Sequence, residues 1–435
     1  MFHRIRSFLR SCRNKKVVRG RHGSLKDTAE RPRTNLEQLS RKNDRESPLK
    51  VAILTPSLTG GGAEHVAVRW GAGLSHLAVD VTLILTHGNV PDDPVCETRK
   101  LSTTASGFLP RIAALRNELN QHHYDAIVSL MPYCNLLALL ANTWRRNSRT
   151  LTIISEHTIH AELNRTDRLA QKIQWSMARL FYRFADACVA VSHPAAADIT
   201  ASCGMSSARI WVVPNPAAEG VSRPLTHTDT ERYRDSIAVV VASRLVRQKR
   251  LNLAIEAAHR VQEETGKRVR VEFFGTGPEE EALREMAEGY GIEAVFHGWV
   301  NRWHDHIPED GIVLSTSRTE GFGNVLVEAA ARSVPAVVSS KALGVADACI
   351  PNVTAKLVMG NSSDDYAKGL VAASRMIIPD VTTWLDRFTD EHASSLLMHV
   401  IEESSIRRPH HCMKDLNWLP SSDVLSVHVT SDRKE

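Results

Sequence analysis

The sequence lacks a long apolar run. None of its 435 residues belong to a stretch of the roughly 18 consecutive apolar residues that a membrane-spanning helix needs. Aromatic residues are few, at 6%, while 43% of the residues are hydrophobic and 24% are charged. These proportions exclude collagen-like and wholly disordered chains and are typical of a globular protein. The length suggests two or three domains, with two favoured.

Cysteine offers no disulfide framework. The seven cysteines are odd in number and form no Cys-x-x-Cys pair, so we interpret them as reduced thiols of a cytoplasmic protein. The cluster His410-His411-Cys412 has no second group of ligands at metal-binding spacing, which favours a polar tail over a metal site.

The formal net charge of +5 is concentrated in one region. Residues 1–48 contain 14 Lys/Arg and 5 Asp/Glu, a balance of +9, so the remaining chain carries −4. Phe2, Ile5, Phe8 and Leu9 would share one helical face, which could lie on an anionic membrane. A disordered basic leader or a misassigned start is the favoured interpretation, because few apolar residues are available to bury. No apolar core follows the charges, which excludes a secretory signal.

Near-continuous apolar strands alternate with helical patterns in two series, and this arrangement indicates parallel sheets covered on both faces. The first series runs from Val51 to Val213 and the second from Ile237 to Ser339. The polar, proline-containing residues 214–236 between them resemble a linker. We therefore predict an α/β protein with two Rossmann-like parallel-sheet domains facing a central cleft.

The predicted domain boundaries follow from these series. They are a basic arm (1–48), an N-terminal acceptor domain (49–222), a C-terminal donor domain (223–380), a helix packing back on the body (381–403) and a polar tail (404–435).

The most informative stretch for chemistry is residues 315–331. A strand ends near Leu314, and a loop with Gly321 and Gly323 precedes a helix predicted to begin at about Asn324. Such a turn directs free backbone N–H groups and a helix dipole at an anion. Glu320 and Glu328 flank the start of that helix, so both can border one pocket. Carboxylates beside a phosphate site commonly accept hydrogen bonds from sugar hydroxyls.

Two cations follow another buried strand. Arg244 and Lys249 lie in the loop between that strand and the next predicted helix, which begins near Leu253. Fixed cations at a strand end suit a leaving diphosphate, whose charge increases as its bond breaks.

Together these residues resemble the GT-B glycosyltransferases of the large retaining class called family 4. Glu320, seven residues and Glu328 match the family's paired-glutamate motif, with Gly321-Phe322-Gly323 intact inside it. Further segments match the family's motifs, namely Ser243-Arg244-Leu245…Gln248-Lys249, Gly275-Thr-Gly-Pro278, Phe296-His-Gly298, Gly61-Gly62-Ala63-Glu64, His157, Val191-Ser192 and Val213-Pro-Asn-Pro216. The resemblance covers roughly residues 50–403.

The resemblance implies a role for each matched residue. Catalytic residues would be Glu320 at the transferred sugar, His157 beside the reacting centre, and Arg244 and Lys249 on the donor diphosphate. The remaining donor-binding positions would be Glu328 on the ribose hydroxyls together with Gly61, Gly62, Gly275, Gly298, Phe322, Gly323 and Asn324. Transfer would proceed through an oxocarbenium-like transition state with retention. No metal or other cofactor is implied, because the Arg/Lys pair replaces it.

One segment departs from the family. Leu343-Gly344-Val345-Ala346-Asp347 stands where the family often has Gly-x-x-Glu, which puts one contact to the donor sugar in question.

Three other functions fit the sequence less well. A Rossmann dehydrogenase needs Gly-x-Gly-x-x-Gly, but His65 occupies the last glycine position, and the second strand ends without an acidic ribose ligand. A nucleotide-sugar epimerase would not be expected to carry the paired-glutamate segment. A nucleotide-sugar-binding partner subunit without turnover would not need the complete Arg/Lys and Glu/Glu sets.

The expected function is therefore retaining hexosyl transfer from a nucleoside diphosphate sugar to a cell-envelope glycan or lipid-linked acceptor. The acceptor class follows from the resemblance alone. We expect a cytoplasmic protein, with peripheral contact to the inner face of the membrane through the basic arm. No nucleic-acid partner is expected, because neither aromatic platforms nor a basic face mark the folded part.

Overall fold

The structure is a computed structural model that describes residues 47–58, 61–101, 107–143, 150–160, 169–221 and 230–407. Residues 1–46, with the predicted amphipathic face, lie outside the described residues, as do the His410–Cys412 cluster and the tail beyond residue 407. In the described part of the chain, no helix has the length and apolar character required to span a bilayer.

The first domain is built on a seven-stranded parallel sheet with the order β3-β2-β1-β4-β5-β6-β7. The strands are β1 (Lys50–Thr55), β2 (Asp80–Leu85), β3 (Glu97–Lys100), β4 (Ala126–Leu130), β5 (Leu151–Glu156), β6 (Ala187–Ala190) and β7 (Ile210–Val212). The helices are α1 (Gly62–His76), α2 (Phe108–His122), α3 (Met131–Thr143), α4 (Leu169–Phe181) and α5 (His193–Cys203).

Strand β1 shows why its sequence is nearly all apolar. Val51 and Ile53 belong to the hydrophobic cluster on one face of the sheet, while Ala52 and Leu54 belong to the cluster on the other. A parallel strand covered by helices on both faces has no polar side to present, so the strand reads as a continuous apolar run.

The second domain repeats the plan with a six-stranded parallel sheet of order β10-β9-β8-β11-β12-β13. Its strands are β8 (Ser236–Ala242), β9 (Arg268–Phe274), β10 (Glu293–Gly298), β11 (Gly311–Ser315), β12 (Ala336–Ser339) and β13 (Ala355–Val358). Its helices are α6 (Asn252–Thr265), α7 (Glu280–Tyr290), α8 (Asn324–Ala331) and α9 (Ser363–Ala373). Both sheets reverse strand order beside their first strand, which is the Rossmann arrangement predicted from the sequence.

The stretch expected as one helix over 381–403 is divided. It comprises α10 (Thr382–Leu385), a 3-10 turn at Asp386–Phe388 and α11 (Asp390–Arg407). Thr389 separates them in an extended conformation, and its hydroxyl accepts a hydrogen bond from the backbone N–H of His392, as an N-cap residue does. The single-helix expectation was wrong because an apolar periodicity does not reveal a cap inside it.

Helix α11 packs in the first domain, although it follows the second in sequence. Its buried residues Ala393, Leu397 and Val400 join the core cluster that contains Trp70 of α1. A Cβ at Gly73 of α1 would lie 1.9 Å from Ser394 Oγ, so the two helices can approach this closely only with glycine at that position.

Strands β3 and β13 were not predicted. β3 reads Glu97-Thr-Arg-Lys100 and is an edge strand without a fully buried residue, and β13 is the opposite edge strand of the second sheet. Charge on an edge strand such as β3 discourages pairing with other chains and leaves little apolar signal, while β13, Ala355-Lys-Leu-Val358, is a run of four residues with little pattern to detect.

Candidate active site

The predicted site residues lie where strands of the two sheets end. His157 follows β5 and Ser192 follows β6 in the first domain, while Arg244 follows β8 and Glu320 lies between β11 and α8 in the second. Parallel strands bring these loops to one edge of each sheet, which is where open α/β sheets bind ligands.

Lys249 and Glu320 meet directly. Lys249 Nζ lies 2.5 Å from Glu320 Oε1, and both side chains are about one-fifth exposed, at 18% and 20%. Lys249 ends the 3-10 turn Arg247–Lys249, so its direction is set by that turn. A diphosphate oxygen entering beside Lys249 would compete with Glu320 for the ammonium group, and the two residues can therefore serve adjacent parts of one ligand.

Arg244 is the second predicted cation. Its side chain is exposed, and within the described ranges its guanidinium makes no hydrogen bond or ion pair. It is therefore available for an anion, while Lys249 is already oriented by Glu320.

Glu328 occupies a drier position. Its Oε2 accepts a hydrogen bond from the indole N–H of Trp303 at 2.7 Å. Burial raises the pKa of Glu328 to about 7, although the Trp303 hydrogen bond and the cation of Arg69 both act in the opposite direction. A carboxyl that changes charge near neutral pH accepts strong hydrogen bonds as an anion and weaker ones when it is protonated in acid.

The loop after Glu320 touches the first domain. Ser192 Oγ donates to the carbonyl of Gly321 at 2.7 Å, and the carbonyl oxygen of His157 lies 2.0 Å from where a Cβ of residue 321 would be. On the other side, the Gly344 N–H donates to the Glu320 carbonyl at 3.2 Å. Only glycine at 321 permits this approach, so the backbone that carries Glu320 is held between two domains.

The predicted positions Phe322, Gly323 and Asn324 separate by role. The Phe322 side chain is buried and packs against the ring of Phe388, so only its backbone can face a ligand. Gly323 has φ +104° and caps α8, and Asn324 begins that helix. The first N–H groups of α8 therefore follow the loop that carries Glu320, and their role in holding an anion stays a prediction.

The glycine loop of the first domain faces Asn324. A Cβ at Gly62 would lie 3.5 Å from Asn324 Nδ2, and Gly61 is the N-cap of α1. Asn215, from the Pro-Asn-Pro segment, donates from Nδ2 to Asn324 Oδ1 at 2.9 Å. Gly61, Gly62 and Asn324 therefore converge from both domains.

His157 is held as a neutral imidazole. Burial lowers its pKa to about 4, although the neighbouring Glu156 acts in the opposite direction. Its Nε2 lies 3.0 Å from Ser155 Oγ, and its ring centroid lies 6.1 Å from that of Trp70. A neutral ring can donate one hydrogen bond and accept another near pH 7.

The two remaining predicted glycines differ. A Cβ at Gly275 would lie 2.0 Å from the Ser243 carbonyl oxygen, so that glycine is required for packing under the Arg244 loop. Gly298 has φ +69° and open space around it, with only Thr276 Cγ2 at 4.0 Å. Backbone packing accounts for Gly275, whereas the space beside Gly298 leaves room for a ligand.

Asp347, in the segment that departs from the family pattern, contacts the first domain. Its Oδ2 accepts from the backbone N–H of His193 at 2.5 Å and lies 2.9 Å from His193 Nδ1. Asp347 therefore places a negative charge at the N-terminus of α5, where a helix dipole favours it.

Sequence reasoning missed Trp303 as the partner of Glu328 and missed the contact of Asp347 with His193. Trp303 lies in the 3-10 turn Trp303–His306, and no spacing rule connects it with Glu328. Across the described ranges, no group of three or more His, Cys, Asp or Glu side chains is arranged to hold a metal ion.

Two family models match the chain in succession. The model described as glycosyltransferase family 4 matches residues 60–218, and the model described as glycosyl transferases group 1 matches residues 222–375. With the paired Rossmann-like domains, these matches define the class: the chain belongs to the group 1, family 4 glycosyltransferases.

Two curated relatives each match somewhat more than a third of the chain. The gpi3 subunit of phosphatidylinositol N-acetylglucosaminyltransferase from Schizosaccharomyces pombe is 29% identical over 170 residues, covering 38% of this chain and 36% of that protein. A phosphatidylinositol N-acetylglucosaminyltransferase subunit from Arabidopsis thaliana is 28% identical over 165 residues, covering 36% of this chain and 34% of that protein. The chain thus spans about a third of the length of these relatives.

Solved structures share the fold over much more of the chain. The lipopolysaccharide outer core galactosyltransferase WaaB aligns with a TM-score of 0.64 at 19% identity, covering 82% of this chain and 99% of WaaB. HepE from Anabaena, solved with UDP and glucose, aligns with a TM-score of 0.63 at 16% identity, covering 82% of this chain and 100% of HepE. With the two parallel sheets described above, these likenesses confirm the GT-B fold predicted from the sequence.

Proposed function

We propose that the protein is a retaining glycosyltransferase that moves a hexosyl group from a nucleoside diphosphate sugar to a lipid-linked or cell-envelope glycan acceptor. The observation that carries the proposal is the contact between Lys249 and Glu320. It joins a cation suited to the diphosphate with a carboxylate suited to the transferred sugar, so the bond to be broken would lie between them.

The donor would be held at both ends by the second domain. Arg244 and Lys249 would bind the diphosphate, while Glu328 would accept hydrogen bonds from the ribose hydroxyls. The side chains would complement the donor, since the two cations would bind the phosphates and the carboxylate would accept from the hydroxyl groups. Uridine is the first base to test, because HepE was solved with UDP and with UDP-glucose.

Sugar transfer would take place beside Glu320 and His157. As the sugar–phosphate bond breaks, Lys249 and Arg244 would stabilise the charge growing on the diphosphate. Glu320 would orient the sugar hydroxyls, and neutral His157 would hydrogen-bond near the reacting carbon. A phosphate oxygen of the leaving group would accept the acceptor's proton, which places attack and departure on one face and retains the configuration. The two cations would provide the charge that a metal ion otherwise supplies.

The acceptor class is supported by the relatives' names. The curated relatives are named for transfer of N-acetylglucosamine to phosphatidylinositol, and WaaB is named for the lipopolysaccharide outer core. Acceptors attached to lipid favour a cytoplasmic enzyme with peripheral membrane contact, and residues 1–48, with their balance of +9, would provide that contact.

The test is a panel of nucleotide sugars with extracted lipid acceptors, read by mass spectrometry of the products and by NMR of the new anomeric centre. Lys249→Ala and Glu320→Ala should each lower turnover about 100-fold or more. Arg268→Ala is the matched control. Arg268 begins β9, at the sheet edge away from the site, and forms an exposed pair with Glu293, so its replacement should leave turnover unchanged. Unchanged turnover in both site variants would overturn the assignment, and an inverted product would overturn retention.

A further inference from the structure

Arg250, next to Lys249 in the chain, is not part of the site described above. It lies at the end of the 3-10 turn with φ 51° and ψ 48°, a left-handed conformation that side chains other than glycine rarely adopt. A residue held in that region needs surrounding contacts that fix it.

The Arg250 guanidinium has three such contacts, which together form the Arg250 strap. Nε donates to the Thr316 carbonyl at 2.8 Å, one terminal nitrogen donates to Asn361 Oδ1 at 3.2 Å, and the other donates to the Tyr366 hydroxyl at 3.0 Å. Tyr366 is fully buried in the core of the second domain, so this end of the strap is rigid. With all three nitrogens engaged by protein, Arg250 is not placed to bind phosphate itself.

Thr316, whose carbonyl accepts from Arg250, also contacts the Lys249 loop through its hydroxyl. Its hydroxyl lies 2.7 Å from the Lys249 carbonyl and 3.0 Å from the Arg250 carbonyl, and the Arg318 N–H donates to the Gln248 carbonyl at 3.2 Å. The loop that ends in Lys249 is therefore joined to the loop that leads from β11 to Glu320. Thr316 is almost completely buried, which keeps these bonds away from competing water.

We infer that Arg250 is a positioning residue for the donor diphosphate, acting through Lys249. Its strap fixes the left-handed turn that aims the Lys249 ammonium at Glu320. The inference rests on the proposed function, in which Lys249 binds the diphosphate. Without the strap the Lys249 side chain would sample other directions, and donor binding would pay the cost of ordering it.

Three substitutions separate the strap from the turn. Arg250→Gly removes the side chain and makes the left-handed turn easy, whereas Arg250→Ala removes the side chain and keeps the strain. Thr316→Val removes the returning hydroxyl with little change of shape. Each should weaken UDP binding about tenfold in calorimetry, because the Lys249 ammonium would no longer be held in the direction that binds the diphosphate. Wild-type binding by Arg250→Gly would show that the turn alone suffices and would overturn the inference.

A double-mutant cycle tests whether Arg250 acts through Lys249. In a Lys249→Ala background, Arg250→Gly should change the UDP dissociation constant by less than about twofold, because the group it positions is gone. Effects that multiply would contradict the inference, since a general loss of folding stability would be independent of Lys249. GDP and ADP serve as further probes, and Arg268→Ala is the control in both backgrounds.

Failure of the proposed function gives a different result. If no nucleoside diphosphate binds the wild-type protein, or if Lys249→Ala binds it unchanged, the proposed function fails and the inference fails with it. If Lys249→Ala weakens binding and the cycle is additive, only the positioning role is overturned.

Discussion

The two sides of the cleft differ in the charge of their side chains. The charged wall consists of Arg244, Lys249, Glu320 and Glu328 in the second domain, and the neutral wall consists of Gly62, His157 and Ser192 in the first. The charged wall offers side chains to a ligand. The neutral wall offers close backbone approach, a hydroxyl and an imidazole whose pKa burial lowers to about 4.

The difference implies a division of labour. Charge is needed where the donor carries charge, so the charged wall should determine how tightly the donor binds. The neutral wall carries no charge but contacts the loop that holds Glu320. It should therefore determine how well the reacting groups are arranged.

The largest effect is expected at Gly321, where the walls touch. In Gly321→Ala the new Cβ would fall 2.0 Å from the His157 carbonyl oxygen, so the walls must separate. Turnover should fall about 100-fold, as misplacement of a reacting group by about 1 Å does, while the nucleoside diphosphate still binds. Gly289→Ala in α7 is the control, because nothing lies within 4 Å of its Cβ position. Normal turnover in Gly321→Ala would show that the contact is not needed for catalysis.

A smaller effect is expected from the titration of Glu328. Its pKa is raised from 4.5 to about 7, so the ionised form costs folding stability, and this cost accumulates as the pH rises from 4.5 to about 7. In the proposed function ribose hydroxyls would donate to the ionised form, so donor affinity should instead increase about tenfold between roughly pH 6 and pH 8. His157, with its pKa near 4, stays neutral throughout.

Calorimetry with UDP across that range, repeated with Glu328→Gln, gives the measurement. The variant should bind weakly at every pH, with a flat profile. An equally steep profile in Glu328→Gln would assign the titration to another group.

The smallest effect is expected at Asp347. Its carboxylate is already engaged by His193 of the first domain, so Asp347→Asn should lower turnover only a few-fold and leave UDP-glucose affinity unchanged. Steady-state kinetics distinguish the outcomes. A large rise in the KM for the donor sugar would mean that Asp347 contacts the donor, as the family's acidic residue at that place does.

The sequence was most informative where the site is local. Glu320 and Glu328 are separated by one loop and the start of one helix, and Arg244 and Lys249 lie in one loop, so a spacing rule can place each pair. The two Rossmann-like sheets were predictable for a similar reason. A strand that is buried on both faces is a short apolar run, which can be recognised without knowledge of distant contacts.

The neutral wall was harder to predict because its contacts are distant in sequence. Ser192 and Gly321 are 129 residues apart, and His193 and Asp347 are 154 residues apart. No local pattern connects them. The Ser192 hydroxyl accepts from the Ala195 N–H at the start of α5, a local contact, and also donates to the distant Gly321 carbonyl.

The division between the walls is tested most directly by one pair of variants measured in one way. The dissociation constant of UDP and the turnover of the bound donor are compared for Lys249→Ala and Ser192→Ala. We expect Lys249→Ala to weaken UDP binding about 100-fold, and Ser192→Ala to leave binding within about twofold while lowering turnover about tenfold. Weakened binding in Ser192→Ala together with unchanged binding in Lys249→Ala would contradict the division.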